Sequence, residues 1–126
     1  MDRTYVIPGS VVSKKNSKIA TTVGGVNVKA RAIILPSNAY KKWEKTARIW
    51  VLTKYGAEII ITHAIHVEAH FYYRGKQPDL SGAMESIADC MEGLLWENDG
   101  LIQSWDGSRL HHDRDNPRTV ITVTDL

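Results

Sequence analysis

Residues 76–103 read KQPDLSGAMESIADCMEGLLWENDGLIQ, a helix-forming run closed by turn residues on both sides. Pro78 interrupts the segment before it, and a helix from about 79 or 80 to 94 follows, with Leu80, Met84, Ile87, Met91, Leu94 and Leu95 along one side. At about 100° per residue, Ser81, Glu85, Asp89 and Glu92 fall in one narrow stripe on the opposite side. Asp79 stands just before the helix, and Asp99 follows it in the turn-like Trp96-Glu-Asn-Asp-Gly100.

Working outward, residues 58–73 are rich in Ile, Val, Thr and aromatics with mostly apolar odd positions, which predicts one long strand. A first helix is expected over residues 39–55, capped by Ser37 or Asn38 and ended by Gly56. Short extended pieces are expected at 4–7 and 32–35, with a basic loop over Ser13–Lys18 and a turn at 23–27. Gln103–His112 and Arg118–Thr124 read as a closing pair of strands linked by residues 113–117. Asp106-Gly107 is either a tight turn or a bulge within the first of them. The expected architecture is a single small α+β domain over residues 1–126, with a mixed sheet and two main helices.

With 126 residues, 43% hydrophobic and 24% charged, the chain has the size and composition of one globular domain. Cys90 has no second cysteine to pair with, and no signal-peptide pattern opens the sequence. A reducing cytoplasm is therefore the expected setting. No apolar run approaches the ~18 residues that span a bilayer, so no membrane association is expected.

The net charge of +2 conceals a division: residues 1–63 carry 11 basic and 3 acidic side chains, residues 64–126 carry 5 basic and 11 acidic. Such a division suits a protein that holds a polyanion on one surface and gathers carboxylates around a divalent cation on another. Segregated solvated charge would give the same count.

Magnesium takes oxygen ligands, usually a few carboxylates with water and substrate phosphate completing the octahedron. Carboxylates at a strand exit, one turn along a helix and in the loop beyond could converge on such an ion. Alternatively, Asp79 caps the helix, Glu85 and Glu92 are solvated, and Asp99 belongs to a turn. His63, His66 and His70 have helical zinc spacing, but on a strand His63 points away from the other two. Cys90 reads as a small residue near the core edge.

Residues 76–103 resemble the signature of the RusA family of Holliday-junction resolvases: Asp-Leu-Asp-Asn, a helix bearing a Lys and a further Asp, and an aromatic residue near a closing Asp-Asp. Asp79 matches the first aspartate, Asp89 the helical one and, with one residue deleted, Asp99 the last. Tyr5-Val-Ile-Pro-Gly9 and the Pro36-Ser-Asn-Ala-Tyr-Lys-Lys-Trp43 start of the first helix fall in the family's order. The family's second aspartate is Ser81 here, and its helical lysine falls at Glu85. Because these positions are one helical turn apart, Glu85 offers back the carboxylate lost at Ser81.

The resemblance implies a magnesium-dependent endodeoxyribonuclease, with manganese as substitute metal, that cuts four-way or branched DNA as a homodimer and needs no small-molecule cofactor. With Glu85 supplying the carboxylate lost at Ser81, Asp79, Glu85 and Asp99 are the expected metal ligands. Asp89 would orient a ligand or water, and Lys76 would face the phosphate. The expected DNA contacts are Lys14, Lys15 and Lys18 in the basic loop, Lys41, Lys42, Lys45 and Arg48 on the first helix, and Arg74. Two other readings stay open: a branched-DNA-binding module of the same fold without turnover, and a protein-binding or structural domain.

Overall fold

The computed structural model describes residues 2–13, 18–23, 31–56 and 59–126. Its elements in chain order are β1 (Arg3–Pro8), β2 (Lys18–Val23), β3 (Arg31–Pro36), α1 (Asn38–Tyr55), β4 (Ile65–Tyr73), α2 (Leu80–Met91), a 3-10 turn (Asp99–Leu101), β5 (Ile102–Ser104), β6 (Arg109–His112) and β7 (Arg118–Asp125). The expectation of an α+β domain with two helices and a mixed sheet holds.

Strand β4 is the centre of the five-stranded sheet. It pairs antiparallel with β7, which pairs antiparallel with β1 at one edge, and it pairs parallel with β5 and β6 at the other. Strands β2 and β3 form a separate antiparallel ribbon. The turn expected after Val23 falls outside the described residues, as do Lys14 and Lys15 and the side chain of Lys18.

Alternation along the strands decides which face is dry. Ile65, Val67, Ala69 and Phe71 of β4 are 0% exposed, whereas His66, Glu68 and His70 between them are partly exposed. The same parity buries Thr119, Ile121 and Val123 of β7 and Tyr5 and Ile7 of β1. Tyr40, Trp43, Ala47 and Val51 of α1 and Ala83, Ile87, Cys90 and Met91 of α2 complete one core with these residues. Each large apolar side chain removed from water contributes ~1.5–3 kcal/mol before the entropy of ordering it is charged.

Both helix starts were legible, and both have local causes. The Ser37 hydroxyl accepts from the Tyr40 amide at 3.1 Å, and the Asp79 carboxylate accepts from the Gly82 amide at 3.3 Å. Gly56 closes α1 with φ +78°.

Three expectations need correction. The long strand over 58–73 is only β4 among the described residues, because β7 ends opposite Ile65 and only the Leu126 amide, donating to Ala64 O at 3.2 Å, extends their pairing past it. Residues upstream bond elsewhere instead: the Ile61 amide donates to Leu95 O and its carbonyl accepts from the Glu97 amide, both at 2.9 Å. The second helix stops at Met91 rather than 94, since Glu92 is extended and Gly93 takes φ +80°. The two closing strands are not neighbours, because β4 lies between β6 and β7. Asp106-Gly107 is an interruption within one edge: β5 and β6 both follow β4 in parallel on either side of it.

Among the described residues no helix is long and apolar enough to cross a membrane. The three histidines go separate ways, His63 to Asp125 at 2.7 Å, His66 to Ser104 at 2.9 Å, and His70 to His111 at 2.8 Å.

Candidate active site

Helix α2 and the loop that returns from it form the acidic site. Its first turn holds Asp79 in place twice over, because Oδ2 accepts from the Ser81 hydroxyl at 2.8 Å as well as from the Gly82 amide. Ser81, standing where a second carboxylate was expected, thus orients the first one. Glu85 is exposed one turn further on, and Asp89 is half-buried a turn beyond that.

The loop after α2 is drawn back against the helix by Trp96. This side chain is 0% exposed, and its indole Nε1 donates to Ala88 O at 3.0 Å. With the Gly93 amide donating to Trp96 O at 2.7 Å, the chain doubles back and delivers Asp99 beside the end of the helix. There the Asp99 amide donates to Glu92 Oε1 at 3.2 Å. Asn98 caps the 3-10 turn, its side chain accepting from the Gly100 amide at 2.7 Å.

The carboxylates that meet are Asp89, Glu92 and Asp99, whose oxygens lie within 4.8 Å of one another. Asp79 and Glu85 belong to no such trio among the described residues. Glu85 and Asp99 nevertheless face one cleft of about 280 Å³, which Ser81, Met84, Ala88 and Trp105 also line. Of the predicted residues, Glu85 and Asp99 share this cleft and Asp89 and Asp99 meet at the C-terminal end of α2, whereas Asp79 lines neither place and Lys76 borders a different cleft.

Burial pushes the Asp99 carboxyl above the usual carboxylate range, and the charges of Glu92 and Asp89 and a hydrogen bond with Asp89 push it the same way. A bound divalent cation would reverse that repulsion, and the donors are all oxygens, as hard cations require. The residues fit a magnesium or manganese ion.

Glu92 was visible in the acidic stripe but was not among the expected ligands. Its spacing from Asp89 is helical, while its use depends on the extended backbone that turns it toward Asp99. Trp96, which holds the loop, was marked in the sequence only as the aromatic residue that the family signature places near its closing aspartates.

The expected DNA-binding groups are distributed unevenly. Lys41, Lys42 and Lys45 are exposed on α1. Arg48 is committed elsewhere, its Nη1 donating to Cys90 O at 2.6 Å and to Glu92 O at 3.1 Å, where it satisfies carbonyls left over at the end of α2. The Arg74 Nε donates to Arg114 O at 2.7 Å, and Lys76 is exposed. Burial pushes the Cys90 thiol up to about 12, so the group stays protonated and unreactive.

The family model described as Endodeoxyribonuclease RusA matches residues 8–124. No curated protein matches the chain.

Proposed function

Since the chain belongs to the RusA family of endodeoxyribonucleases, we propose that it is a magnesium-dependent, structure-selective nuclease that nicks four-way or otherwise branched DNA. The observation that carries this reading is the meeting of Asp89, Glu92 and Asp99 beside a cleft that Glu85 and Ser81 also line. A magnesium or manganese ion held there would supply charge neutralisation at the phosphoryl oxygens and acidify an attacking water.

Asp99 is the pivot, because it belongs both to the assembled trio and to the expected set of Asp79, Glu85 and Asp99, in which Glu85 replaces the family carboxylate lost at Ser81. Asp89 and Glu92 would hold the ion from the helix end, Glu85 lines the cleft where the phosphodiester would lie, and the Ser81-oriented Asp79 stands at the first turn of the helix. Lys76 presents its ammonium to the phosphate, in place of the lysine that the family carries at the position of Glu85. Lys14, Lys15, Lys18, Lys41, Lys42, Lys45 and Arg74 follow the backbone without reading bases. With Arg48 engaged by the carbonyls of α2, the phosphate contacts on α1 fall to its lysines.

Two nicks related by symmetry need two sites, so the active species is a homodimer. Sedimentation at micromolar concentration is expected to give twice the chain mass.

A synthetic four-way junction with magnesium tests the reading. Paired symmetric nicks are expected from the wild type, reduced at least ~100-fold in Asp99→Asn. Manganese titration of Asp79→Asn, Glu85→Gln, Asp89→Asn and Glu92→Gln then separates the ligand sets, since only true ligands lose affinity while junction binding persists. Ser81 and Glu85, in place of the family's aspartate and lysine, favour a second reading: a module that binds branched DNA without cutting. Salt-sensitive junction binding with no nicks in the wild type would establish it.

A further inference from the structure

A second cleft, of about 450 Å³, opens between the loop that leaves β1 and the loop that leaves β4. Val11, Val12 and Pro78 give it an apolar floor, Arg74 and Lys76 are exposed at its rim, and no acidic residue lines it among the described residues. That sign runs against the surroundings, because residues 64–126 carry 5 basic side chains against 11 acidic ones, and two of the five border this cleft.

The cleft adjoins the first turn of the helix that carries the acidic site. Ser13 is 7% exposed, and a Cβ at Gly82 would collide with its hydroxyl, so the loop sits directly on the first turn of α2. The Arg74 amide donates to Ser10 Oγ at 3.1 Å and binds the two walls together. The cations are largely uncommitted: Lys76 forms no ion pair among the described residues, and of the Arg74 guanidinium only Nε has a partner, Arg114 O. Just past Pro78 the chain reaches Asp79.

Phosphate contacts alone would require cations but no apolar floor. A volume within the ~300–1,000 Å³ range of small-molecule sites, apolar below and cationic at the rim, matches a single nucleotide. A base or sugar can lie on the floor while its phosphate meets the rim. We infer that this cleft receives one unstacked nucleotide of the DNA strand that crosses the acidic site, seated on Val11, Val12 and Pro78 with its phosphate between Arg74 and Lys76. The inference rests on the nuclease reading and adds a source of structure selectivity to it. A paired nucleotide within a duplex must first be unstacked, at a cost of a few kcal/mol, whereas one at the exchange point of a branched molecule is already loosened.

The test uses four-way junctions with 2-aminopurine at the exchange point or in the middle of an arm, bound by the full chain in EDTA and read by fluorescence and anisotropy. Saturating wild type is expected to brighten the exchange-point probe severalfold and leave the mid-arm probe unchanged. Val12→Glu, which puts a negative charge on the floor, is expected to abolish the brightening while the junction stays bound. Val12→Gln, a neutral polar change at the same place on the floor, provides the same comparison should Val12→Glu melt early.

Full brightening in both variants overturns the inference, as does a bound junction with no brightening. Nicking under magnesium without brightening removes this inference and leaves the nuclease reading intact. Brightening without nicking does the reverse, and absence of any binding to branched DNA removes both.

Discussion

Asp79 does two jobs at once, and substitution can separate them. Its carboxylate caps α2 through the Gly82 amide and accepts from the Ser81 hydroxyl, and it is the family's first aspartate, an expected metal ligand. Asparagine keeps a capping oxygen, whereas alanine removes it. Asp79→Asn is expected to melt within a degree or two of wild type, while Asp79→Ala loses ~1 kcal/mol in denaturant unfolding. Both should be deficient in nicking, so a loss in the asparagine variant alone identifies the chemical role. Thr119 gives a second prediction at this scale. It is 0% exposed, and its Oγ1 has no hydrogen-bond partner among the described residues. A buried hydroxyl left unsatisfied costs ~1–3 kcal/mol, so Thr119→Val is expected to raise the urea midpoint with no change in slope.

Between β5 and β6 the edge strand breaks and resumes, and Gly107 makes the break possible. Its φ of +92° is a left-handed conformation that other residues resist, and a Cβ there would strike Glu68 Oε1. Glu68 in turn holds His70 at 3.0 Å, so the break and the exposed face of β4 are coupled. Gly107→Ala is expected to lose ~1–3 kcal/mol of unfolding free energy, read by urea titration. Hydrogen exchange should speed up in residues 102–112 while α2 stays protected. Equal acceleration in α2 would mean that the edge strand is not a separate unit.

Across the whole molecule, charge and protonation set the conditions under which it works. On the open face of the sheet, His111 stacks on Tyr72 with ring centroids 4.5 Å apart, and Arg118 covers Tyr72 at 3.8 Å. Burial lowers the His111 pKa, and His70, Arg109 and Arg118 lower it further. A depressed folded-state pKa means that the unfolded chain binds more protons between the two values, so stability rises with pH across that window. The contribution is complete above the ordinary histidine value of about 6.5 and is lost as pH falls toward the folded value. The melting temperature is expected to fall on acidification below that point, and His111→Gln is expected to flatten the decline. Asp99 has the opposite sign, because its raised pKa makes the ionised carboxyl costly in the metal-free fold. Added manganese should therefore raise the melting temperature more at neutral pH than at pH ~5.

Helix starts, strand parity and the acidic stripe were readable because each depends on contiguous residues. Ser37 and Asp79 precede helical runs as capping residues do, the odd residues of β4 are apolar, and Ser81, Glu85, Asp89 and Glu92 repeat at helical spacing. Residues 76–103 also resembled a nuclease family, and the match over residues 8–124 agrees with that. Tertiary structure alone decided which carboxylates meet, because that depends on groups distant in the chain. Burial of Trp96 under α2 returns the loop to the helix, and the extended backbone at Glu92 brings it to Asp99 and Asp89 instead of leaving it in solvent. It likewise decided that β4 separates β6 from β7 and that Arg48 serves the end of α2. Local propensity determines an element and its face, but packing around a shared core chooses the element's neighbours.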